Sequence, residues 1–263
     1  MSVARVPVLM YHRVGVVQDR REARYAIPPE NFAAHMHALA RAHFQAISME
    51  DFLAWLETGR ALADGAFLLT FDDGFQGVGE HALPVLESLN WPFTVFLVSD
   101  LVGAMDAWMT AAEPGRMSYP LLNSQEILDM QRRGAIFHSH TRNHPRLPAL
   151  SDMDLVDQLA GSRAAITELI GREVNCLAYP FGLHDDRVRA ATIAAGYRAA
   201  FSTESGFNAR TIDRYRIRRL DVYGTDTPAM LLRKIRLGSN DGRLTTLIRY
   251  YLRNFVSRIA GKS

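Results

Sequence analysis

The stretch LLTFDDGF, residues 68–75, ends a run of apolar residues with two adjacent carboxylates and a glycine. The run AFLLTF (66–71) is typical of a buried strand, and Asp72 and Asp73 follow its C-terminal end. Two like charges in contact repel, and burying either one costs free energy. Asp-Gly is also ordinary turn chemistry. The pair therefore indicates either a simple turn or a functional site. In such a site, one carboxylate would bind a cation and the other would accept a proton.

This apolar run is one of several predicted strands that alternate with helical patterns along the chain. The predicted strands are 6–11, 66–71, 92–99, 135–140, 175–180, 197–203 and 214–224. The predicted helices are 28–43, 49–59, 80–90, 123–134, 151–171, 185–196 and 227–237. Repeated strand–helix alternation predicts an α/β fold with a parallel sheet and helices outside it. At 263 residues we expect a distorted, TIM-like (β/α) barrel of about seven strands rather than an open doubly wound sheet.

Composition and charge narrow the class of protein. The formal net charge is +2, so no global field favours binding to nucleic acid. The single cysteine, Cys176, excludes an internal disulfide and is expected in the core. The N-terminal residues lack the apolar core of a signal peptide, and no stretch is apolar enough to span a bilayer. These features predict a cytoplasmic protein.

Polar side chains stand at the ends of several predicted strands. His12, the Asp72/Asp73 pair, His140 and Tyr179 each follow an apolar run. In a barrel, the C-terminal ends of parallel strands meet on one face, and active sites lie there. We therefore expect these residues to lie close together.

The segment FHSHTRNHPRL, residues 137–147, contains His140 and His144, four positions apart. On one helical turn, or in a tight loop after a strand, both imidazoles can face one point. Two histidines and one carboxylate make a three-ligand set for a divalent ion, with positions left for water and substrate. The alternative is a pair of surface or capping histidines. The nearby Asp-Asp-Gly favours the metal site.

Three motifs in this order resemble those of the polysaccharide deacetylases, the NodB-homology family or carbohydrate esterase family four. They are TFDDG (70–74), SHTRNHPRL (139–147) and AYPFG (178–182), and the resemblance runs from about residue 6 to about residue 225. It implies a distorted (β/α) barrel of the NodB-homology type and metal-dependent hydrolysis of an N-acetyl group. The substrate expected from the resemblance is an N-acetylated sugar of a polysaccharide or lipid-linked glycan.

The resemblance also implies roles for individual residues. It makes Asp73, His140 and His144 the ligands of a divalent metal, with Zn²⁺ the default for mixed histidine and carboxylate ligands. It makes Asp72 the catalytic base and gives Tyr179 a backbone N–H that helps to hold the oxyanion. Because successive side chains of a strand point to opposite faces, the two aspartates can do different work.

Two departures from the family pattern leave roles to be filled. After His184 the chain has no histidine for the general acid, and His12 resembles the acid of a circularly permuted branch with an N-terminal catalytic histidine. The alternative for His12 is a strand-end histidine bonded to backbone. The family arginine that orients the base is replaced here by Ala178. Arg218 or Arg219 could substitute, and we favour Arg219, the alternative being a solvated basic edge strand.

Two further histidines stand near the motifs without an assigned role. His138, where the family often has glycine, could crowd the metal or simply pack, and we leave it out of the ligand set. His184 could touch substrate, but a place in a surface loop is the simpler expectation.

The predicted organisation is a catalytic barrel at 1–238 followed by a basic amphipathic helix at 239–263. Apolar positions between 244 and 260 repeat at helical spacing beside only basic charges. This helix either packs on the barrel as part of the same domain or lies on an anionic membrane surface. The second alternative fits peripheral attachment at the inner membrane face and work on glycans of the cell envelope.

Three functions are in competition. The leading one is a metal-dependent N-deacetylase of carbohydrates, a hydrolase of linear amide C–N bonds. The alternatives are a deformylase acting on a formamido sugar lipid and a glycan-binding module without turnover. Ala178 favours the binding module, while Asp72 and the metal ligands oppose it.

Overall fold

The computed structural model describes residues 5–19, 21–106, 108, 117–243 and 245 of the protein. Within these residues, no helix combines the length and the apolar character needed to cross a membrane. Of the predicted C-terminal amphipathic helix at 239–263, residues 239–243, which are not helical, and Thr245 are described, and the rest lies outside the described residues. Its packing or membrane role therefore stays a prediction, as does the division of the chain at residue 238.

A parallel sheet forms the centre of the fold. The strands are β1 (Val8–Tyr11), β2 (Arg13–Val14), β3 (Ala26–Ile27), β4 (Gln45–Ile47), β5 (Ala66–Phe71), β6 (Phe93–Leu97), β7 (Ala135–Ser139), β8 (Cys176–Ala178), β9 (Ala199–Phe201) and β10 (Leu220–Asp221). The main sheet runs β10-β1-β5-β6-β7-β8-β9, with β4 also paired to β5, and its described pairings are parallel. Strands β2 and β3 form a separate small sheet.

Helices connect the strands. They are α1 (Pro29–Arg41), α2 (Met49–Thr58), α3 (Leu83–Ser88), α4 (Ser124–Arg132), α5 (Asp152–Val156), α6 (Ser162–Ile170), α7 (Asp186–Ala194) and α8 (Pro228–Leu237). A π-helical turn, Val78–Ala82, leads into α3, and another, Asp157–Gly161, joins α5 to α6. Side-chain caps explain several starts: Asn123 opens α4 with a capping box to Glu126, and Ser151 accepts from the backbone N–H of Asp154.

The two ends of the main sheet are joined by the segment that precedes β10. The backbone N–H of Ala200 donates to Arg214, and that of Ser202 donates to Ile217. A few residues later the same segment pairs with β1, with Leu220 opposite Leu9. The sheet therefore curls, and the C-terminal ends of its strands face one opening.

Alternation along the strands divides the core between the two faces of the sheet. Leu69 and Phe71 of β5 belong to the larger apolar cluster, which the outer helices also enter. Leu68 belongs to the smaller cluster, which fills the inner face together with Phe52 and Trp55 of α2. Because side chains alternate with period two, the inner face continues from Leu68 toward position 72 at the end of β5.

The structure confirms the predicted α/β fold class, a parallel sheet that curls toward a barrel with helices outside it, and β5 has the predicted bounds. Several details differ, including the three that follow. Strand β4 was not predicted, because QAI is too short to show a period. Of the predicted strand 214–224, only β10 pairs as a strand. The predicted helix 151–171 contains the π turn at 157–161.

A buried ion pair fixes the segment between β10 and α8. Lys234 and Asp226 are 1% and 3% exposed, and the Lys234 ammonium donates to the Asp226 carboxylate and to the carbonyl of Asp221. The same carboxylate accepts from the backbone N–H of Tyr223. Removing one partner of a buried pair leaves an uncompensated charge, which costs more than the pair itself contributes.

We therefore expect Lys234→Met to lower the free energy of unfolding by about 3–5 kcal/mol in urea titrations. Arg216→Met is the matched control, because it removes an exposed ion pair with Glu204 and should cost less than about 1 kcal/mol. Equal losses in the two variants would show that the pair at Lys234 does not anchor this segment.

Candidate active site

Strand ends of the main sheet surround one cavity with about 300 Å³ of internal space. Asp72 and Asp73 follow β5, His140 follows β7 and His12 follows β1. All four line the cavity, as does His144 from the loop after β7. The structure thus brings together the residues that the sequence placed at strand ends.

Three side chains form a compact cluster of metal-ligand type. One ligand atom from each of Asp73, His140 and His144 lies within 4.8 Å of the others. Asp73 Oδ1 is 3.4 Å from Nε2 of His140 and 3.5 Å from Nε2 of His144. Two ligands about 2.1 Å from one tetrahedral ion lie about 3.4 Å apart, so these separations suit a shared ion.

Within the described part of the chain, one acceptor atom of the cluster has no hydrogen-bond partner, and a metal site requires such a free ligand atom. Asp73 Oδ1 is buried and has no hydrogen-bond partner among the described residues. A buried acceptor without a partner is costly, and a cation removes that cost. Nδ1 of His140 bonds the carbonyl of Ala178 at 2.8 Å, which leaves Nε2 directed at Asp73. A second partner of this kind orients metal-ligating histidines. The residues therefore fit a divalent metal ion.

Unusual backbone conformations produce this convergence. Asp73 has φ 73°, Thr141 has φ 71° and His144 has φ 61°, all in the left-handed region that non-glycine residues rarely adopt. Sequence reasoning placed the two aspartates on opposite faces of an extended strand. Because Asp73 instead turns the chain, both carboxylates line the same cavity. Gly74 continues the turn with φ 78°.

Asp72 is held by a buried arginine from a distant part of the chain. Nη1 and Nη2 of Arg219 donate to its two carboxylate oxygens at 2.6 and 2.8 Å, and Arg219 is 0% exposed. Nε of Arg219 donates to the carbonyl of Ser202, which fixes the guanidinium plane. Arg219 thus provides the guanidinium that the family pattern has at position 178, where this chain has alanine. Arg218, by contrast, is exposed.

The charges of the cavity set the protonation of these groups. Burial alone would raise the pKa of Asp72, but the Arg219 guanidinium and His140 hold it at about 2. Burial also opposes ionisation of Asp73, yet the nearby imidazoles of His140 and His144 keep its pKa below the usual value. Burial and the charge of His140 lower the pKa of His144 to about 3. Both carboxylates are therefore ionised at neutral pH.

His12 stands on the wall of the cavity formed by the N-terminal elements. It is partly exposed, and its ring meets the edge of the Tyr25 ring with 5.3 Å between centroids. It contributes to the lowered pKa values of Asp72 and Asp73. The structure therefore places His12 at the same cavity as the two carboxylates, and its role as proton donor stays a prediction.

The predicted role of Tyr179 needs correction. Its backbone N–H donates to the carbonyl of Phe201 at 3.0 Å as part of the pairing between β8 and β9, so it cannot also hold an oxyanion. Pro180 has no N–H. The next donor is Phe181, which lines the cavity with φ 57° and donates none of the described backbone hydrogen bonds. The hydroxyl of Tyr179 bonds the carbonyl of Tyr215, which gives the residue a structural role.

The other two histidines near the motifs lie outside the metal cluster. His138 is buried on the inner face, where its Nδ1 accepts from the backbone N–H of Asn175, and burial lowers its pKa to about 3. Its exclusion from the ligand set agrees with the structure. His184 stacks on the ring of Tyr179 with 4.8 Å between centroids.

Sequence reasoning missed several residues of the cavity wall. Arg13 is paired with Glu22 at 2.9 Å and lies 3.5 Å from the ring centre of Tyr119, whose hydroxyl donates to Glu22. Asp106 and Trp108 come from the loop at 100–122, a stretch to which the sequence assigned neither a strand nor a helix. The aromatic residues of that loop were the only signal, and its described part does line the cavity.

Comparison with known proteins shows which proteins this chain resembles. A sequence model of the polysaccharide deacetylase family matches residues 59–200. YxkH of Bacillus subtilis (strain 168), which carries a polysaccharide deacetylase name, is 24% identical over 219 residues, covering 83% of this chain and 72% of that protein. Poly-beta-1,6-N-acetyl-D-glucosamine N-deacetylase of Staphylococcus aureus is 22% identical over 189 residues, covering 68% of this chain and 62% of that enzyme.

The fold is shared with solved structures. The Streptococcus pyogenes deacetylase PplD, in complex with acetate, superposes with a TM-score of 0.77 at 20% identity, covering 89% of this chain and 99% of that one. At this identity the likeness establishes the fold alone. The match of the family model over more than half of the sequence establishes the family. The chain is a member of the polysaccharide deacetylase family.

Proposed function

We propose that this protein is a metal-dependent deacetylase that removes the acetyl group from N-acetylated amino sugars of a polysaccharide. The observation that carries the proposal is the cluster of Asp73, His140 and His144, in which Asp73 Oδ1 has no hydrogen-bond partner among the described residues, beside the ionised carboxylate of Asp72. Amide hydrolysis needs an activated water, a proton acceptor and a proton donor, and the cavity offers a candidate for each.

The metal would be held by Asp73, His140 and His144. Mixed imidazole and carboxylate ligands suit Zn²⁺, which is the proposed ion. A bound divalent ion lowers the pKa of a water molecule and polarises the amide carbonyl. Asp73 contributes the negative charge of the ligand set, and its turn at φ 73° aims it at both histidines.

Asp72 is the proposed general base. It accepts a proton from the attacking water, and it is ionised over the whole neutral range because Arg219 holds its pKa at about 2. A pKa this low makes a weak base, so the reaction relies on the water being acidified. Arg219 keeps the carboxylate in place through its two hydrogen bonds.

His12 and Phe181 complete the proposed machinery. An amine leaves poorly without a proton, and an imidazole can supply one near neutral pH. His12 is the proposed donor because it shares the cavity with Asp72. The backbone N–H of Phe181 is the proposed donor to the oxygen that becomes negative as the carbonyl is attacked.

The substrate class is proposed from the family and from the relative in Staphylococcus aureus named for poly-beta-1,6-N-acetyl-D-glucosamine. Turnover is favoured over simple glycan binding, because Arg219 supplies the guanidinium missing at Ala178. A formamido sugar would meet the same groups, so deformylation is the second candidate for this site. The proposed substrate is a glycan of the cell envelope.

The test of this proposal is release of acetate from N-acetylglucosamine oligosaccharides by the purified protein. Activity should disappear after chelation and return with added Zn²⁺. Formylated and acetylated versions of one oligosaccharide distinguish the two acyl groups. Binding of the oligosaccharide without release of either acid, with metal present, would identify a binding module instead.

The two adjacent aspartates should separate metal binding from catalysis. We expect Asp73→Asn and His144→Ala to lose stoichiometric zinc, measured by elemental analysis, and with it acetate release. Asp72→Asn should keep zinc and lose activity, since the base is not a ligand. An empty Asp72→Asn protein beside a loaded Asp73→Asn protein would reverse these assignments.

Metal affinity should depend on pH through His140. Burial opposes its protonation, but Asp72 and Asp73 raise its pKa above the ordinary value. A proton on His140 competes with the ion, so affinity should fall as pH drops through that raised pKa. Asp72→Asn removes one of the two charges, so the loss of affinity should move to lower pH in calorimetric titrations.

Asp129→Asn is the control for that titration, because it removes an exposed carboxylate that does not line the cavity. Its pH midpoint should match that of the wild type. A midpoint in Asp72→Asn that stays in place, or rises, would contradict the charge coupling.

Replacement of the proposed acid should affect amides more than esters. We expect His12→Gln to keep zinc and the fold and to lower amide turnover by roughly 10²–10⁴-fold. The loss on an activated acetate ester should be smaller, because its leaving group needs little protonation. His37→Gln, on the exposed side of α1, is the control. Equal losses on amide and ester would assign His12 to positioning, and wild-type turnover would remove it from the reaction.

A further inference from the structure

Asp106 is a buried carboxylate in the cavity wall for which the proposed reaction has no use. It is 2% exposed and lines the same cavity as Asp73, His144 and Trp108. It stands in the long loop after β6 rather than at a strand end or in one of the three motifs. Charged groups are rarely buried without a partner or a purpose.

The hydrogen bonds of Asp106 satisfy only one side of its carboxylate. Oδ1 accepts from Oγ of Ser118 at 2.6 Å and from the backbone N–H of Tyr119. The backbone N–H of Asp106 donates in return to the carbonyl of Tyr119 at 3.0 Å. Across the described part of the chain, Oδ2 takes part in no hydrogen bond or ion pair. The carboxylate is therefore held rigidly with one acceptor left over.

The leftover oxygen is not a further metal ligand in this arrangement. Within the described residues, the cluster of ligand atoms contains Asp73, His140 and His144 without Asp106. Asp106 instead feels the like charge of Asp73, and this repulsion adds to burial in raising its pKa. A hydrogen-bond donor on a bound ligand would relieve the acceptor.

The surroundings of Asp106 indicate the shape of that ligand. The ring of Trp108 stacks on His144 with 4.6 Å between centroids and lies 6.5 Å from the ring of Phe75. Aromatic surface beside one fixed carboxylate suits a ring with apolar C–H faces and hydroxyl groups at its edge. Binding pockets generally combine apolar walls with a few placed polar groups in this way.

We propose that Oδ2 of Asp106 accepts a hydrogen bond from a hydroxyl group of the sugar whose amide is cleaved. Asp106 is then a residue that determines specificity, selecting a hydroxyl-bearing ring at the metal over simpler acetyl compounds. This inference rests on the proposed deacetylase function, because it names a contact to the substrate of that same site.

The first test compares Asp106→Asn on two substrates. The amide oxygen of asparagine can still accept from Ser118 and Tyr119, while its NH₂ group replaces the free acceptor with a donor. We expect kcat/KM for an N-acetylglucosamine oligosaccharide to fall roughly tenfold to a hundredfold, the scale of one hydrogen bond to a charged group. The rate of hydrolysis of 4-nitrophenyl acetate, which has no sugar hydroxyl, should fall by a much smaller factor.

Asp129→Asn is the matched control, because it makes the same substitution at an exposed carboxylate that does not line the cavity. It should leave the rates on both substrates unchanged. If Asp106→Asn instead slows ester and oligosaccharide by the same factor, as a damaged loop would, the contact is refuted.

A second measurement identifies the hydroxyl. Monodeoxy analogues of the N-acetylated sugar are compared in wild type and Asp106→Asn. In the wild type, kcat/KM for the analogue that lacks the contacting hydroxyl should fall by the same factor as in Asp106→Asn. In Asp106→Asn, removing that hydroxyl should lower kcat/KM no further. Additive losses for every analogue would overturn the proposal. Wild-type protein that releases no acetate from any substrate would instead refute the proposed function itself.

Discussion

The buried pair of Asp72 and Arg219 is the interaction on which the site depends. The two residues are 147 positions apart, and each is at most 3% exposed. Burying two charges is costly, and the cost is met only where the geometry is good and the remaining donors are used. Here two hydrogen bonds join the charges and a third ties Arg219 to Ser202. The pair thus links residues at the ends of β5, β9 and β10, and so helps to hold the curled sheet together.

A second constraint is backbone strain concentrated at the cavity. Of the six described non-glycine residues with positive φ, three line it, Asp73, His144 and Phe181, and a fourth, Thr141, directly follows His140. Such conformations cost about 1–3 kcal/mol each and persist where the surrounding packing holds them. At these residues the chain has left a strand and turns back toward the cavity. The strained turns therefore bring side chains from different strand ends close together.

These features explain how far the site could be predicted from the sequence. Strand β5 could be predicted from its apolar run, and the spacing of His140 and His144 indicated a metal site beside the two aspartates. The choice of Asp73 as the third ligand came from the resemblance to the family. The choice between Arg218 and Arg219 needed the structure, because it depends on which face of a short strand points inward. Tyr179 was assigned wrongly, since pairing between β8 and β9 uses its N–H. Asp106 gave no signal, because its burial comes from a loop without periodicity.

The measurement that tests the account most directly is the pH profile of kcat/KM for deacetylation in Arg219→Met. Without the guanidinium, burial dominates and raises the pKa of Asp72 from about 2, so the base protonates at higher pH. With Zn²⁺ kept saturating at every pH, so that metal loss through His140 does not set the limb, the acid limb should move to higher pH, with folding confirmed by circular dichroism. Arg218→Met, at the exposed neighbouring position, should leave the limb in place. An unshifted acid limb and a wild-type rate in Arg219→Met would contradict the account.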